Sequence, residues 1–138
     1  MLLYVVAVIG VSAALGAQGR QAGPAADEGS RFTGKSTALD AAGLRATRRR
    51  FEAGARSAWH SHEKGQLLFV EEGRGRVQQR GQAVKDLGVG DSYYTGPNVP
   101  HWHGAGPDQA LVQAALAFGG ETRWMEKVTD EEYAGKKK

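Results

Sequence analysis

From Gly54 to Gly106 the chain never runs far without a glycine: Gly65, Gly73, Gly75, Gly81, Gly88, Gly90, Gly96 and Gly104 cut it into short pieces. Pieces of this length fit short strands joined by tight turns. Residues 44–51 (LRATRRRF) lead into a turn at Glu52-Ala53-Gly54. Residues 58–62 and 66–70 (QLLFV) read as the next strands, ending at Gly73-Arg74-Gly75. Residues 76–80 and 83–87 flank Gly81-Gln82, which reads as a hairpin loop. Residues 92–95 and 101–105 are extended, separated by an irregular loop over 97–100. Residues 110–118, between a Gly-Pro-Asp and a Gly-Gly turn, read as a buried strand, although their alanines also suit a helix. Thr129 and Glu132 stand in the spacing of a capping box, which predicts a short helix before the Lys136, Lys137, Lys138 tail. Many short strands and one terminal helix give an all-β fold, an antiparallel barrel or sandwich.

The 138 residues suit a single domain. Cysteine is absent, which excludes disulfides and thiolate metal sites. The formal charge of +3 and pI near 9.3 invite a nucleic-acid reading, but the basic residues are scattered and no stretch interleaves them with aromatics. Residues 2–17 are apolar and uncharged, with small residues at Ala14, Gly16 and Ala17. As a helix such a run spans only ~24 Å, short of the roughly 30 Å hydrocarbon core. It reads as a signal peptide cut near Gly16 or Ala17, although no Lys or Arg precedes it; an uncleaved anchor is the alternative. Residues 18–30 read as a flexible linker and 31–138 as the barrel domain. The expected location is outside the cytoplasm, in the periplasm, with no membrane association after cleavage.

All four histidines fall in two pairs, His60-Ser61-His62 and His101-Trp102-His103. On a strand, residues two apart share a face, roughly 6.6 Å apart along the chain, so each pair can aim two imidazoles at one interior point. A turn through Glu63-Lys64-Gly65 can return Gln66 to the same face. Isolated surface histidines would be unremarkable, but two such pairs on strands of a barrel point to a metal ion. The tryptophans Trp59, Trp102 and Trp124 read as packing residues, with Trp102 a candidate for the pocket mouth. One of Tyr93 and Tyr94 at most faces inward, and Glu71 and Glu72 read as solvated turn carboxylates.

Gly54, His60, His62, Gln66 and Gly73 resemble the first cupin motif, G-x5-H-x-H-x3-E-x6-G, with Gln66 in place of the usual glutamate. Gly90-Asp91, Pro97 and His101 resemble the second motif, with a loop one residue shorter. The segments AWHSHEKGQ, PNVPHWHGAGP and WMEKVTDEEY are similar to small single-domain bacterial cupins, a group that includes the manganese-dependent hydroxynitrile lyases. The resemblance runs from about residue 32 to 133 and implies a cupin double-stranded β-helix, or jelly-roll, barrel. It implies His60, His62, Gln66 and His101 as ligands of one divalent ion, with His103 beside it, and a homodimer. Manganese is the ion the resemblance favours; iron, cobalt, nickel and zinc suit the same nitrogen and oxygen donors. Such neutral donors leave the ion its full double charge, strengthening it as a Lewis acid.

Two positions depart from the lyases. Gln113 stands where they carry a histidine that assists catalysis, and a neutral amide cannot transfer protons in that manner. Arg49 stands where they have small or aliphatic residues. Alternation from Phe51 turns Arg49 and Thr47 toward the barrel, whereas a slipped register turns them to solvent. An inward guanidinium would attract a carboxylate or another anion. Three functions follow for a small-molecule substrate. The first is a metal-dependent carbon–carbon lyase using His103, Gln113 and Arg49. The second is a dioxygenase acting on a phenol, enol or small acid, and the third is a non-catalytic cupin that captures a small anion.

Overall fold

The structure, a computed structural model, describes Thr33, Thr37 and residues 39–136. The expected signal peptide and linker lie outside the described residues. The unit that begins at Leu39 carries β1 Arg45–Phe51, β2 His60–His62, β3 Gln66–Gly73, β4 Gly75–Gln79, β5 Lys85–Leu87, β6 Ser92–Thr95, β7 His101–Ala105, β8 Leu111–Ala117, β9 Thr122–Trp124 and α1 Asp130–Tyr133. They form two antiparallel sheets, β1-β8-β3-β6 and β5-β4-β7-β2-β9. This fits the antiparallel barrel or sandwich that the turn spacing predicts and the jelly-roll that the cupin resemblance implies.

Alternation decides what each strand sends inside. In β8 the run LVQAALA pairs β1 on one side and β3 on the other, so residues 110–118 are strand and not helix. Its register lays inward-facing rows across the first sheet: Arg45, Ala117, Gln66 and Thr95 form one row, and Thr47, Ala115, Leu68 and Tyr93 the next. A third row holds Arg49, Gln113 and Val70. In the second sheet His60 sits between Trp124 and His101, and His103 lies opposite Val77.

The barrel interior divides between polar and apolar residues. Leu68, Val70, Val77, Leu87, Ala105 and Leu111 form one cluster, with Phe51, Tyr93 and Ala115 packed against it. Removing a buried leucine such as Leu68 from such a core costs about 2–5 kcal/mol. A second cluster of Trp59, Trp102, Val128 and Tyr133 packs β7 against the C-terminal segment. Tyr133 donates to the Ala105 carbonyl at 2.8 Å, and the Arg56 and Arg76 guanidiniums lie 4.5 and 5.3 Å from its ring centroid. The capping box is complete: Thr129 Oγ1 accepts from the Glu132 backbone, and Glu132 accepts from that of Thr129.

Several details differ from the sequence reading. β3 continues through a bulge between Val70 and Glu72 to Gly73, so Glu71 lies on a strand and accepts from Arg48 Nε at 2.7 Å. The β4–β5 loop covers 80–84, because the ladder stops at Val77↔Lys85. Strand β9, which the sequence reading lacks, covers the outer edge of β2. Two glycines are required by close approach. A Cβ on Gly73 would fall 1.8 Å from the Ala110 carbonyl, and one on Gly104 would fall 2.3 Å from that of Ala55.

Candidate metal centre and cavity

Four imidazoles converge at one end of the barrel interior. Ring centroids are 4.3 Å apart for His60 and His101, 5.2 Å for His60 and His62, 5.6 Å for His62 and His101, and 5.2 Å for His60 and His103. One ring nitrogen each from His60, His101 and His103 lies within 4.8 Å of the others, a group able to hold a metal ion. All four histidines are buried, as are Gln66 and Gln113.

Outer partners orient the rings. His60 Nδ1 faces the Ala58 carbonyl and His101 Nδ1 the Val99 carbonyl, both at 2.9 Å. A carbonyl only accepts, so in each neutral ring Nδ1 carries the proton and Nε2 keeps its lone pair for the interior. His62 Nδ1 faces the Thr122 hydroxyl at 3.0 Å, while its Nε2 is buried without a hydrogen-bond partner. Gln66 directs its carbonyl oxygen to within 3.0 Å of His101 Nε2. Two acceptors face each other there, an arrangement that a shared cation satisfies. An unpartnered buried ring nitrogen and opposed acceptors fit a bound cation, and the donor types fit a divalent transition ion.

His103 differs. Its Nδ1 lies 3.2 Å from the Gln113 amide nitrogen, which donates, so the neutral ring carries its proton on Nε2. Burial lowers the pKa of His60 to about 4, an effect that nearby His62 reinforces and the Ala58 carbonyl opposes. Burial and then the His60 charge lower His101 to about 4. His62 is lowered by burial and by Arg45, and His103 lies well below 6.5 through burial and the His60 and His101 charges. The rings are therefore neutral near pH 7, and a metal need displace no proton from Nε2 of His60 or His101.

A cavity of about 470 Å³ opens onto this group. His60, His62, Gln66, His103 and Gln113 line its base, and Arg49 and Thr47 line its wall from β1. The inward alternative for Arg49 is the one the β1–β8 register selects, opposite Gln113. Arg45, two steps further along the same alternation, also lines the cavity and was within reach of the pattern that singled out Arg49. Thr122 and Trp124 belong to β9 and had no local signal. Trp102 does not bound the mouth. Alternation between His101 and His103 sends it to the opposite face, where it is fully buried and donates to Gln78 Oε1 at 2.8 Å. Trp124, 64% exposed with its ring 4.8 Å from that of His60, takes that place.

Comparison with known proteins agrees with this architecture. The cupin domain profile matches residues 47–113. An (R)-mandelonitrile lyase from Granulicella tundricola is 45% identical over 86 residues, 60% of this chain and 66% of that protein. The matched stretch thus spans slightly under two thirds of the lyase. A cupin-like protein from Thermotoga maritima superposes with a TM-score of 0.63 at 42% identity, over 66% of this chain and 71% of that one. The DMSP lyase DddQ from Ruegeria pomeroyi shares the fold, with a TM-score of 0.55 at 20% identity over 64% of this chain and 46% of its own. With its two facing sheets, its paired histidines and these relatives, the chain belongs to the cupin family.

Proposed function

We propose that this protein is a metal-dependent lyase that cleaves a carbon–carbon bond in the manner of a hydroxynitrile lyase. The observation that carries the reading is the set of interior-facing acceptors on His60, His62, Gln66 and His101 beside a buried His103–Gln113 pair in an open cavity. The 45% identity to a mandelonitrile lyase supports the choice of reaction. His60, His62, Gln66 and His101 would hold one divalent ion, manganese by resemblance. When bound, the ion supplies Lewis acidity to a substrate hydroxyl or carbonyl oxygen.

The rest falls to the chain. Cyanohydrin cleavage moves the hydroxyl proton away, breaks the bond to the nitrile carbon and releases hydrogen cyanide and a carbonyl compound. With the Gln113 amide nitrogen on Nδ1, His103 donates from Nε2 toward negative charge developing on the departing group. Turning the Gln113 amide so that its oxygen accepts from Nδ1 frees the Nε2 lone pair to take the hydroxyl proton. The proton that Nε2 takes from the hydroxyl is the one it returns to the departing cyanide, which leaves as hydrogen cyanide with His103 neutral again, while Gln113 holds the ring through Nδ1. Phe51, Ala115 and Ala117 supply apolar wall for the substrate body.

The test is mandelonitrile cleavage by chelated protein, by protein reloaded with manganese, and by His103→Ala and Gln113→His variants. Expected are activity only with metal, loss with His103→Ala, and a rise of about tenfold or more with Gln113→His, since positioned proton transfer is worth ~10²–10⁴ in rate. No metal-dependent cleavage in any of them refutes the reaction. Arg49 on the cavity wall favours, as second readings, an oxygen-using enzyme acting on a small acid or a cupin that captures an anion. Oxygen consumption with iron or manganese but not zinc distinguishes the former. Ligand-induced stabilisation without turnover distinguishes the latter. Export to the periplasm and pairing into a homodimer belong to the same proposal, supported by the apolar run over 2–17 and by the family resemblance.

A further inference from the structure

The cavity has an electrostatic asymmetry that cleavage of a neutral cyanohydrin does not require. Three arginines line it, Arg45, Arg49 and Arg56, and among the described lining residues there is no aspartate or glutamate. Arg56 is committed elsewhere: Nη2 donates to Asp130 at 2.6 Å and to the Val128 carbonyl at 3.0 Å. Arg45 donates to the Gly120 carbonyl at 2.8 Å, which orients it but leaves its charge uncompensated. Arg49 makes no hydrogen bond or ion pair among the described residues, although its neighbours on the other face, Arg48 and Arg50, pair with Glu71 and Glu52. Outward-facing arginines of β1 are thus matched by carboxylates, whereas the inward-facing ones are not.

The placement of Arg49 is equally specific. Its partner across the ladder is Gln113, which in turn contacts His103. Arg49, Gln113 and His103 therefore run from the cavity wall to the base. A guanidinium with all its donors free, beside apolar wall from Phe51 and Ala115, is a two-pronged donor site for a planar anion, whose oxygens accept. From the geometry we infer that the natural ligand of this cavity is a small carboxylate, its acid group held by Arg49, with Arg45 adding attraction at the mouth. The acid group sits on the β1 side, with Gln113 between Arg49 and His103, so a second oxygen of the same molecule is left to face the metal centre. On the lyase reading the substrate is then a hydroxynitrile whose apolar body carries a carboxylate, and mandelonitrile is its uncharged analogue.

This inference rests on the reading of the cavity as a substrate site, but its test does not need turnover. Titration calorimetry of the full chain, chelated and manganese-loaded, compares phenylacetate with its neutral isostere phenylacetamide. Phenylacetate is expected to bind about tenfold or more tightly in both forms, as one charge-assisted pair provides, and the preference should shrink as ionic strength rises. Arg49→Gln should abolish the preference and Arg45→Gln should only reduce it. Arg49→Lys, which keeps the charge but not the fork, should fall between wild type and Arg49→Gln. β1 is an edge strand and Arg49 is exposed, so unchanged melting temperatures are expected; should Arg49→Gln unfold, Arg49→Lys carries the test. Equal binding of acid and amide, binding of neither, or a preference unmoved in the folded Arg49 variants overturns the carboxylate site. Failure of mandelonitrile cleavage with an Arg49-dependent preference overturns only the lyase reading. The reverse outcome overturns only the inference made here.

Discussion

Replacing His62 with leucine should make the metal-free protein as stable as wild type or more so, yet make the metal-loaded protein less stable. In the metal-free state His62 Nε2 is a buried nitrogen with no partner, a condition that costs about 1–3 kcal/mol. Leucine of comparable size removes that cost and forfeits the Nδ1 bond to Thr122, worth about 0.5–1.5 kcal/mol. Thr122 is only half-buried, so water can take over its hydroxyl. The balance is a change between zero and roughly 2 kcal/mol in favour of the variant. With metal at a hundred times its dissociation constant, wild type gains ~2.7 kcal/mol, a gain the variant largely loses. Urea denaturation of both proteins, with chelator and with saturating manganese, reads the two differences. A shift of 1 kcal/mol moves the midpoint of thermal unfolding by about 4–8 °C in a domain of this size, well within measurement. If His62→Leu destabilises both states by the same amount, His62 is a packing residue and the ligand assignment fails.

Two further outcomes follow from the same geometry. His60 and His101 have folded-state pKa values of about 4 against 6.5 unfolded, so between those values the unfolded chain binds more protons. Stability of the metal-free protein should therefore fall as pH drops from 6.5 to 4 and level off below, by a magnitude of order 3 kcal/mol per imidazole. Denaturation midpoints that stay flat across that window contradict burial of neutral rings. Gly104→Ala drives a Cβ to 2.3 Å from the Ala55 carbonyl and 2.5 Å from Arg56 Cα, both backbone atoms, next to His103. It should cost about 1–3 kcal/mol or more and lower metal affinity, checked by melting and by metal titration. A variant of wild-type stability would show that the 55–56 segment yields freely.

Much of the fold was legible because its signals are local. Turn glycines marked strand ends, the capping box marked α1, and two-residue spacing put His60 with His62 and His101 with His103 on shared faces. What escaped the sequence depends on partners distant in the chain. β9 has only three residues, and only its pairing with β2 gives it form. Glu71 read as a turn residue because the bulge that extends β3 is a property of the β3–β8 ladder. Trp102 and Trp124 exchanged their expected places because the first lies under α1 and the second on an edge strand.

The sequence by itself determined an all-β chain of short strands whose histidines can converge, since strand alternation needs no knowledge of the partner strand, and its motifs resemble those of cupin barrels. Tertiary structure alone decided whether Arg49 looks into the cavity and that Arg45 joins it. It also decided which ring nitrogen His60, His101 and His103 offer. The reason is physical: a strand's own pattern says which side chains share a face, but only the register with β8 and the carbonyls across the barrel say which face is inside and where each proton sits.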